Sequence, residues 1–221
     1  MKTCLNNSMR LMRVLRNGMA LSVAILAVSA LQPQTSQGQS AVPAPSQNDT
    51  TQNNNTDKTS HLAKDFIKEA AQGNLTEIAL SELAQSKAMN SDVKQLAQMM
   101  ISDHQQCNQK LQAIAEAHGL PFNQSLDWMN QHEVNRLQKT PEGDFEKDYV
   151  KIMLKDHVKA IKCFQSAANE IKETDVQEFA QNSLPTLRKH LQHAEEAARA
   201  VGLDDSTVTS IVKDVPTGGT N

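Results

Sequence analysis

Met99-Met100-Ile101-Ser102-Asp103-His104 is an apolar run that ends in Asp-His, and Ile152-Met153-Leu154-Lys155-Asp156-His157 repeats the pattern further along the chain. Both runs lie in segments of helical periodicity. In the first, Val93, Ala97, Met100, His104, Cys107, Leu111, Ile114 and His118 recur at spacings of three and four. In the second, Glu146, Val150, Met153, His157, Ile161, Phe164, Ala168 and Ile171 do the same. Such spacing places one stripe of each helix against a core, so each histidine falls on the buried face.

Two further stripes flank these. Phe66, Ala70, Gly73, Glu77, Leu80 and Ala84 form one, starting from a Ser60 N-cap and fading near Met89-Asn90. Val176, Ala180, Ser183, Leu187, His190, Ala194, Ala197 and Val201 form the other, after Thr174-Asp175 and with Pro185 inside it. Pro185 removes a backbone donor and is expected to kink that helix. Ser91 is the expected cap of the second helix, and Thr140-Pro141-Glu142 the start of the third.

The chain repeats itself at an offset of 83. Asp92-Val93 answers Asp175-Val176, Ala97-Gln98 answers Ala180-Gln181, and Gly119-Leu120 answers Gly202-Leu203. The unit is a helical hairpin used twice. One hairpin cannot bury its own stripe, so two must pack into a four-helix bundle. About twenty residues join the hairpins, and they include a short helix capped at Ser125 and anchored by Trp128. That link is long enough to cross the bundle, so the expected fold is all-α, a ferritin-like crossover bundle.

Before this domain, Lys2, Arg10, Arg13 and Arg16 precede the apolar run Met19–Val28, followed by Val28-Ser29-Ala30. This reads as an export signal over residues 1–30, cleaved after Ala30. The run is short for a bilayer-spanning helix, which needs ~20 residues, so an uncleaved anchor is the lesser alternative. Residues 31–59 are rich in Gln, Asn, Ser, Thr and Pro and read as a disordered polar linker. The bundle is placed at residues 60–203 and a flexible tail at 204–221. The expected location is periplasmic or secreted.

Composition narrows the function. Without the four basic residues of the signal, 18 basic side chains face 25 acidic ones, a net charge of −7. That excess of acid excludes a general nucleic-acid binder. No Gly-rich phosphate loop, Ser or Cys nucleophile motif or Cys-x-x-Cys is present. No catalytic residue is assigned, and no protein or small-molecule partner is named by the sequence.

Phe66-Ile67-x-x-Ala70-Ala71-x-Gly73-x-Leu75-x-Glu77, Ala97-x-Met99-Met100-x-x-Asp103-His104, Lys155-Asp156-His157 and Leu184-Pro185-Thr186-Leu187-x-x-His190-Leu191 together resemble the exported bacterial family filed as domain of unknown function 4142. The resemblance covers about Leu62 to Val201. It implies a ferritin-like domain in an exported protein and no particular reaction.

Counted from the hairpin tips, Glu77, His104, His157 and His190 fall at one depth, within roughly 7 Å along a helix that rises 1.5 Å per residue. Besides a small-ligand pocket, two readings stay open. The four are a polar layer that sets helix register, or they bind one transition-metal ion, Zn, Fe, Mn or Cu, as imidazole and carboxylate donors do. A di-iron oxidase is disfavoured, since Glu-x-x-His is missing: Ile101 and Leu187 stand three residues before His104 and His190. Asp103 and Asp156 adjoin the histidines and could orient a neighbouring imidazole. Cys107 and Cys163 fall on diagonal helices, too far apart for a disulfide.

Overall fold

A computed structural model of the chain describes residues 53–216, with side chains from residue 61 onward. Residues 1–52, with the expected signal and most of the linker, lie outside the described residues. All six elements among the described residues are helices, and there is no strand. They are α1 (Asn53–Lys87), α2 (Ser91–Ala117), α3 (Trp128–Gln138), α4 (Glu142–Glu170), α5 (Thr174–Ala200) and α6 (Asp205–Val212). None of them is long and apolar enough to cross a membrane.

The four long helices are α1, α2, α4 and α5. Their stripes meet in one core. Phe66, Leu80, Met100, Leu111, Met153, Phe164, Leu187 and Ala194, the inward positions expected from the periodicity, are all buried there. Phe66, Phe164 and Phe179 pack edge-on and tilted at one end, with centroids 5.0–6.3 Å apart.

The hairpin tips lie at opposite ends. At the first tip, the backbone N–H groups of Met89 and Asn90 donate to Glu146 near the start of α4, at 2.6 and 2.7 Å. Asn90 Nδ2 reaches Ala200 at the end of α5. At the second tip, Asp175 pairs with His118 at the end of α2, at 2.9 Å. The connection between α2 and α4 therefore travels from one end of the bundle to the other, and α2 and α4 run parallel.

Gln72 holds that connection against α1. Its Nε2 donates to Ser125 O at 3.0 Å, and its Oε1 accepts from Asp127 N at 2.8 Å. This differs from the expected Trp128 anchor. Trp128 is 75% exposed, and Val134 and Leu137 bury instead. An indole at the first helical position of α3 points past the stripe that Val134 and Leu137 define.

The repeat is visible atom by atom at the helix ends. Gly119 and Gly202 have φ of 63° and 71°. Leu120 N donates to Ala115 O, and Leu203 N to Ala198 O, at 2.8 and 2.9 Å. Both hairpins end in the same left-handed glycine cap, in which the residue after the glycine returns its N–H to the last turn.

Several expected boundaries are corrected. Helix α1 begins at Asn53, not at Ser60. Extending an established helix is far easier than nucleating one, and no Pro or Gly interrupts residues 53–60. The caps also shift by a residue or two. Asn90 rather than Ser91 caps α2, accepting from Asp92 N. Asp127 rather than Ser125 caps α3, and Glu173 precedes α5. In each case the helix starts where the extended φ/ψ of the cap allows its first turn to close. The segment after Asp204 is not merely a tail. Asp204 caps α6 through Thr207 N at 2.8 Å, Val208 is buried, and Arg188 donates to Pro216 O at 2.8 Å.

Candidate metal centre

Each long helix contributes one polar side chain to the middle of the core: Glu77 from α1, His104 from α2, His157 from α4 and His190 from α5. All four are at most 5% exposed. The structure brings together the four residues singled out from their common depth.

Each imidazole is tethered through one nitrogen and presents the other to its neighbours. His104 Nδ1 lies 2.9 Å from Asn74 Oδ1. His157 Nδ1 donates to Met153 O at 2.9 Å, the carbonyl one turn back on its own helix. His190 Nε2 lies 2.9 Å from Asp103 Oδ2. The three rings converge, one nitrogen from each lying within 4.8 Å of the others. Glu77 Oε2 stands 2.8 Å from His104 Nε2 and 3.5 Å from His157 Nε2. His157 Nε2 and His190 Nδ1 are 3.2 Å apart.

The proton inventory of this cluster does not close. A carbonyl only accepts, so His157 must carry its proton on Nδ1, and Nε2 faces the cluster as a lone pair. If His190 carries its proton on Nε2, for the Asp103 carboxylate, two lone pairs face each other across the 3.2 Å contact. If the proton sits on Nδ1, a lone pair faces the carboxylate instead. Double protonation is disfavoured. Burial lowers the pKa of His157, and burial together with the charge of His157 lowers that of His190 to about 4. Glu77 Oε2 and His104 Nε2 are buried and pair at 2.8 Å. Two buried lone pairs that face each other, as at His157 and His190, are costly.

Electrostatics keeps the site anionic at Glu77. Burial would raise its pKa, but the charges of His157 and His104 outweigh that and hold it at about 2. His104 is pushed the other way: burial lowers its pKa, and Glu77 more than restores it, so the net shift is upward.

Asp103 touches the cluster directly through His190. Asp156 has no bond to the four and lines the adjoining cavity; burial, then Glu77 and Glu133, raises its pKa to about 8. Asn74 was not singled out from the sequence, although it stands three residues before Glu77 on the same helix face. The Met153 carbonyl has no side-chain signal at all. His193 turns away to Glu196 at 2.9 Å. Cys107 and Cys163 are half-buried and not bonded to each other, and burial raises the pKa of Cys107.

A cavity of about 720 Å³ adjoins the cluster and is lined by Glu77, His104 and His190 among others. It gives the site access from outside the core.

Residues 45–197 match the family described as a domain of unknown function, DUF4142. Among solved structures, the chain is similar to the crystal structure of a DUF305 fragment from Deinococcus radiodurans. The TM-score is 0.55 at 16% sequence identity, over 62% of this chain and 96% of that one. At that identity the likeness concerns the fold. No protein with a curated description matches the chain.

Proposed function

Because the chain belongs to the DUF4142 family, whose description prescribes no reaction, we propose a function from the site itself: the protein binds one transition-metal ion through Glu77, His104, His157 and His190. The observation that carries this reading is the lone-pair conflict between His157 and His190, beside a buried Glu77 carboxylate 2.8 Å from His104 and 3.5 Å from His157. A cation among these atoms resolves all of it at once. It accepts both lone pairs, the Glu77 oxygen and, after loss of one proton, His104 Nε2.

The dimensions suit one ion. Donors ~2.1 Å from a tetrahedral centre stand ~3.4 Å from each other. The neighbouring pairs here are 2.8, 3.2 and 3.5 Å apart. The outer partners fit as well, since metal-bound histidines commonly donate their other N–H to a carbonyl or carboxylate, as His157 does to Met153 and as Asp103 allows for His190. Three imidazoles and one carboxylate suit Zn, Fe, Mn or Cu.

The order of helices, with parallel α2 and α4 joined across the bundle, supports the ferritin-like crossover topology. The site differs from the di-iron bundles in having one carboxylate where those need several. We place the protein outside the cytoplasm on its N-terminal sequence. On export, mature protein is expected to begin at Leu31. N-terminal sequencing of protein recovered from the periplasm checks this, and an intact Met1 there would rule out the cleavage.

The function is tested by metal analysis and calorimetry on protein purified without a histidine tag. One equivalent of Zn, Mn, Fe(II) or Cu is expected to bind and raise the melting temperature, and a chelator is expected to reverse the rise. If no ion shifts melting, the metal reading is overturned in favour of the alternative, an envelope or stress-associated interaction protein whose polar layer is purely structural.

A further inference from the structure

We infer that the cavity beside the polar cluster is a binding pocket for a neutral small molecule, an apolar body of a single ring carrying a hydroxyl that hydrogen-bonds to Asn74. The pocket does not depend on a bound ion. Its size is in range: pockets for small organic ligands span roughly 300–1,000 Å³, and this cavity holds about 720 Å³. Its walls come from all four long helices and from α3.

Asn74 marks where the polar head of a ligand belongs. Its side chain is 5% exposed and lines the cavity. Its Oδ1 is taken by His104 Nδ1 at 2.9 Å. Its Nδ2 is buried and has no hydrogen-bond partner; beside it stands the Cys107 thiol, a weak acceptor. A buried amide donor left unpaired is costly, and a ligand oxygen set against it recovers that cost on binding. The apolar body belongs further along. Ile114, Phe164, Phe179 and Leu187 line the same cavity, and the two phenyl rings tilt against each other with centroids 6.0 Å apart. Asn74 stands three residues from Glu77 on α1, and Phe164 seven from His157 on α4, both toward the end that holds the second hairpin tip. The difference is four residues of helical rise, or ~6 Å along the bundle, a gap that one ring spans.

Charge decides which head group fits. Away from the polar cluster and its neighbours Asp103 and Asp156, the walls carry Glu69, Glu133, Asp175 and Glu178 against Lys110 and Lys159. That excess of negative charge opposes an anionic ligand. An ammonium head would suit the charge but only donates, so it leaves the Asn74 amide unpaired. A hydroxyl is neutral, accepts from Asn74 Nδ2 and keeps a proton to donate. A bare hydrocarbon fills the apolar end and satisfies nothing.

The probe is 4-propylphenol, titrated calorimetrically into the full chain in chelator, beside 4-propylbenzoate and propylbenzene. Wild type is expected to bind the phenol one-to-one, on the order of tenfold more tightly than propylbenzene, and more tightly than the benzoate. Asn74→Leu is expected to bind the phenol about tenfold more weakly and propylbenzene as wild type does, so that the preference for the hydroxyl disappears. Ala160→Phe, which fills a half-buried position in the cavity wall, is expected to bind neither. The order of the three probes in wild type decides the matter even where a substitution unfolds the chain. No binding of the phenol, equal affinity for propylbenzene, or tighter binding of the benzoate overturns the pocket. A hydroxyl preference that survives in folded Asn74→Leu, or unchanged binding in folded Ala160→Phe, overturns it too. Zn(II) uptake, measured without the probe, is untouched by any of these results.

Discussion

His157→Ala is expected to abolish one-to-one metal binding and the whole metal-dependent gain in stability. An ion present at a hundred times its dissociation constant stabilises the folded state by about 2.7 kcal/mol, and that increment should vanish. His157 is the most central of the four. It is completely buried, contacts His190 at 3.2 Å and Glu77 at 3.5 Å, and is aimed by the Met153 carbonyl. Removing it takes away the donor that connects the other two contacts. Leu111→Ala provides the contrast. Leu111 is also completely buried, two turns beyond His104 on α2. Truncating it should cost ~2–5 kcal/mol through the cavity it leaves. That cost should be equal with and without metal, because substitutions ~10 Å apart usually add. Denaturant unfolding of both variants, with Zn(II) and with chelator, separates the two effects. A metal increment that survives in His157→Ala would remove that histidine from the site.

The second large effect is on acid stability without metal. The ordinary histidine pKa of 6.5 falls to about 4 at His190, because burial penalises the charged ring and His157 adds to the penalty. The unfolded chain therefore binds more protons than the folded one between these values, and stability rises with pH across the window. The contribution is fully present above 6.5 and is lost as pH falls toward 4, amounting to about 3 kcal/mol at roughly 1.4 kcal/mol per pH unit. His157 shifts in the same direction. Glu77 acts below them, its contribution being lost as pH falls from 4.5 through about 2. His104 opposes, since its raised pKa gives stability at low pH that is lost as pH rises through its folded value. Urea unfolding in chelator at pH 7 and pH 4.5 measures the sum. His190→Gln, which cannot titrate, is expected to lose about 2 kcal/mol less than wild type between these two conditions, since pH 4.5 lies two units below the ordinary value. Equal losses in the two proteins would show that His190 is not held neutral by the fold. With metal bound the same protonation competes with the ion, so affinity should fall over the same range.

Local pattern carried the helices, the stripes and the repeat. Three-four spacing marks a buried face whatever packs against it, and Gly119-Leu120 and Gly202-Leu203 end their helices through backbone geometry alone. The common depth of Glu77, His104, His157 and His190 also followed from counting, because a helix advances by a constant rise. Counting could not reach the partners across the core. That Asp103 takes His190, on a helix far along the chain, depends on how α2 and α5 are rotated against each other. The same holds for Asn74 beside His104 and for Gln72 gripping Ser125 and Asp127. The helix begun at Asn53 and the one closed over Val208 were missed for a related reason: rich in Asn, Thr, Ser, Asp and Val, they are poor helix formers by themselves, and neighbouring structure extends or packs them. The chain by itself determined which residues face inward and at what height. Only the tertiary structure decided which nitrogen of each imidazole is tethered and which is left without a proton partner, because that choice rests on groups brought together from four different helices.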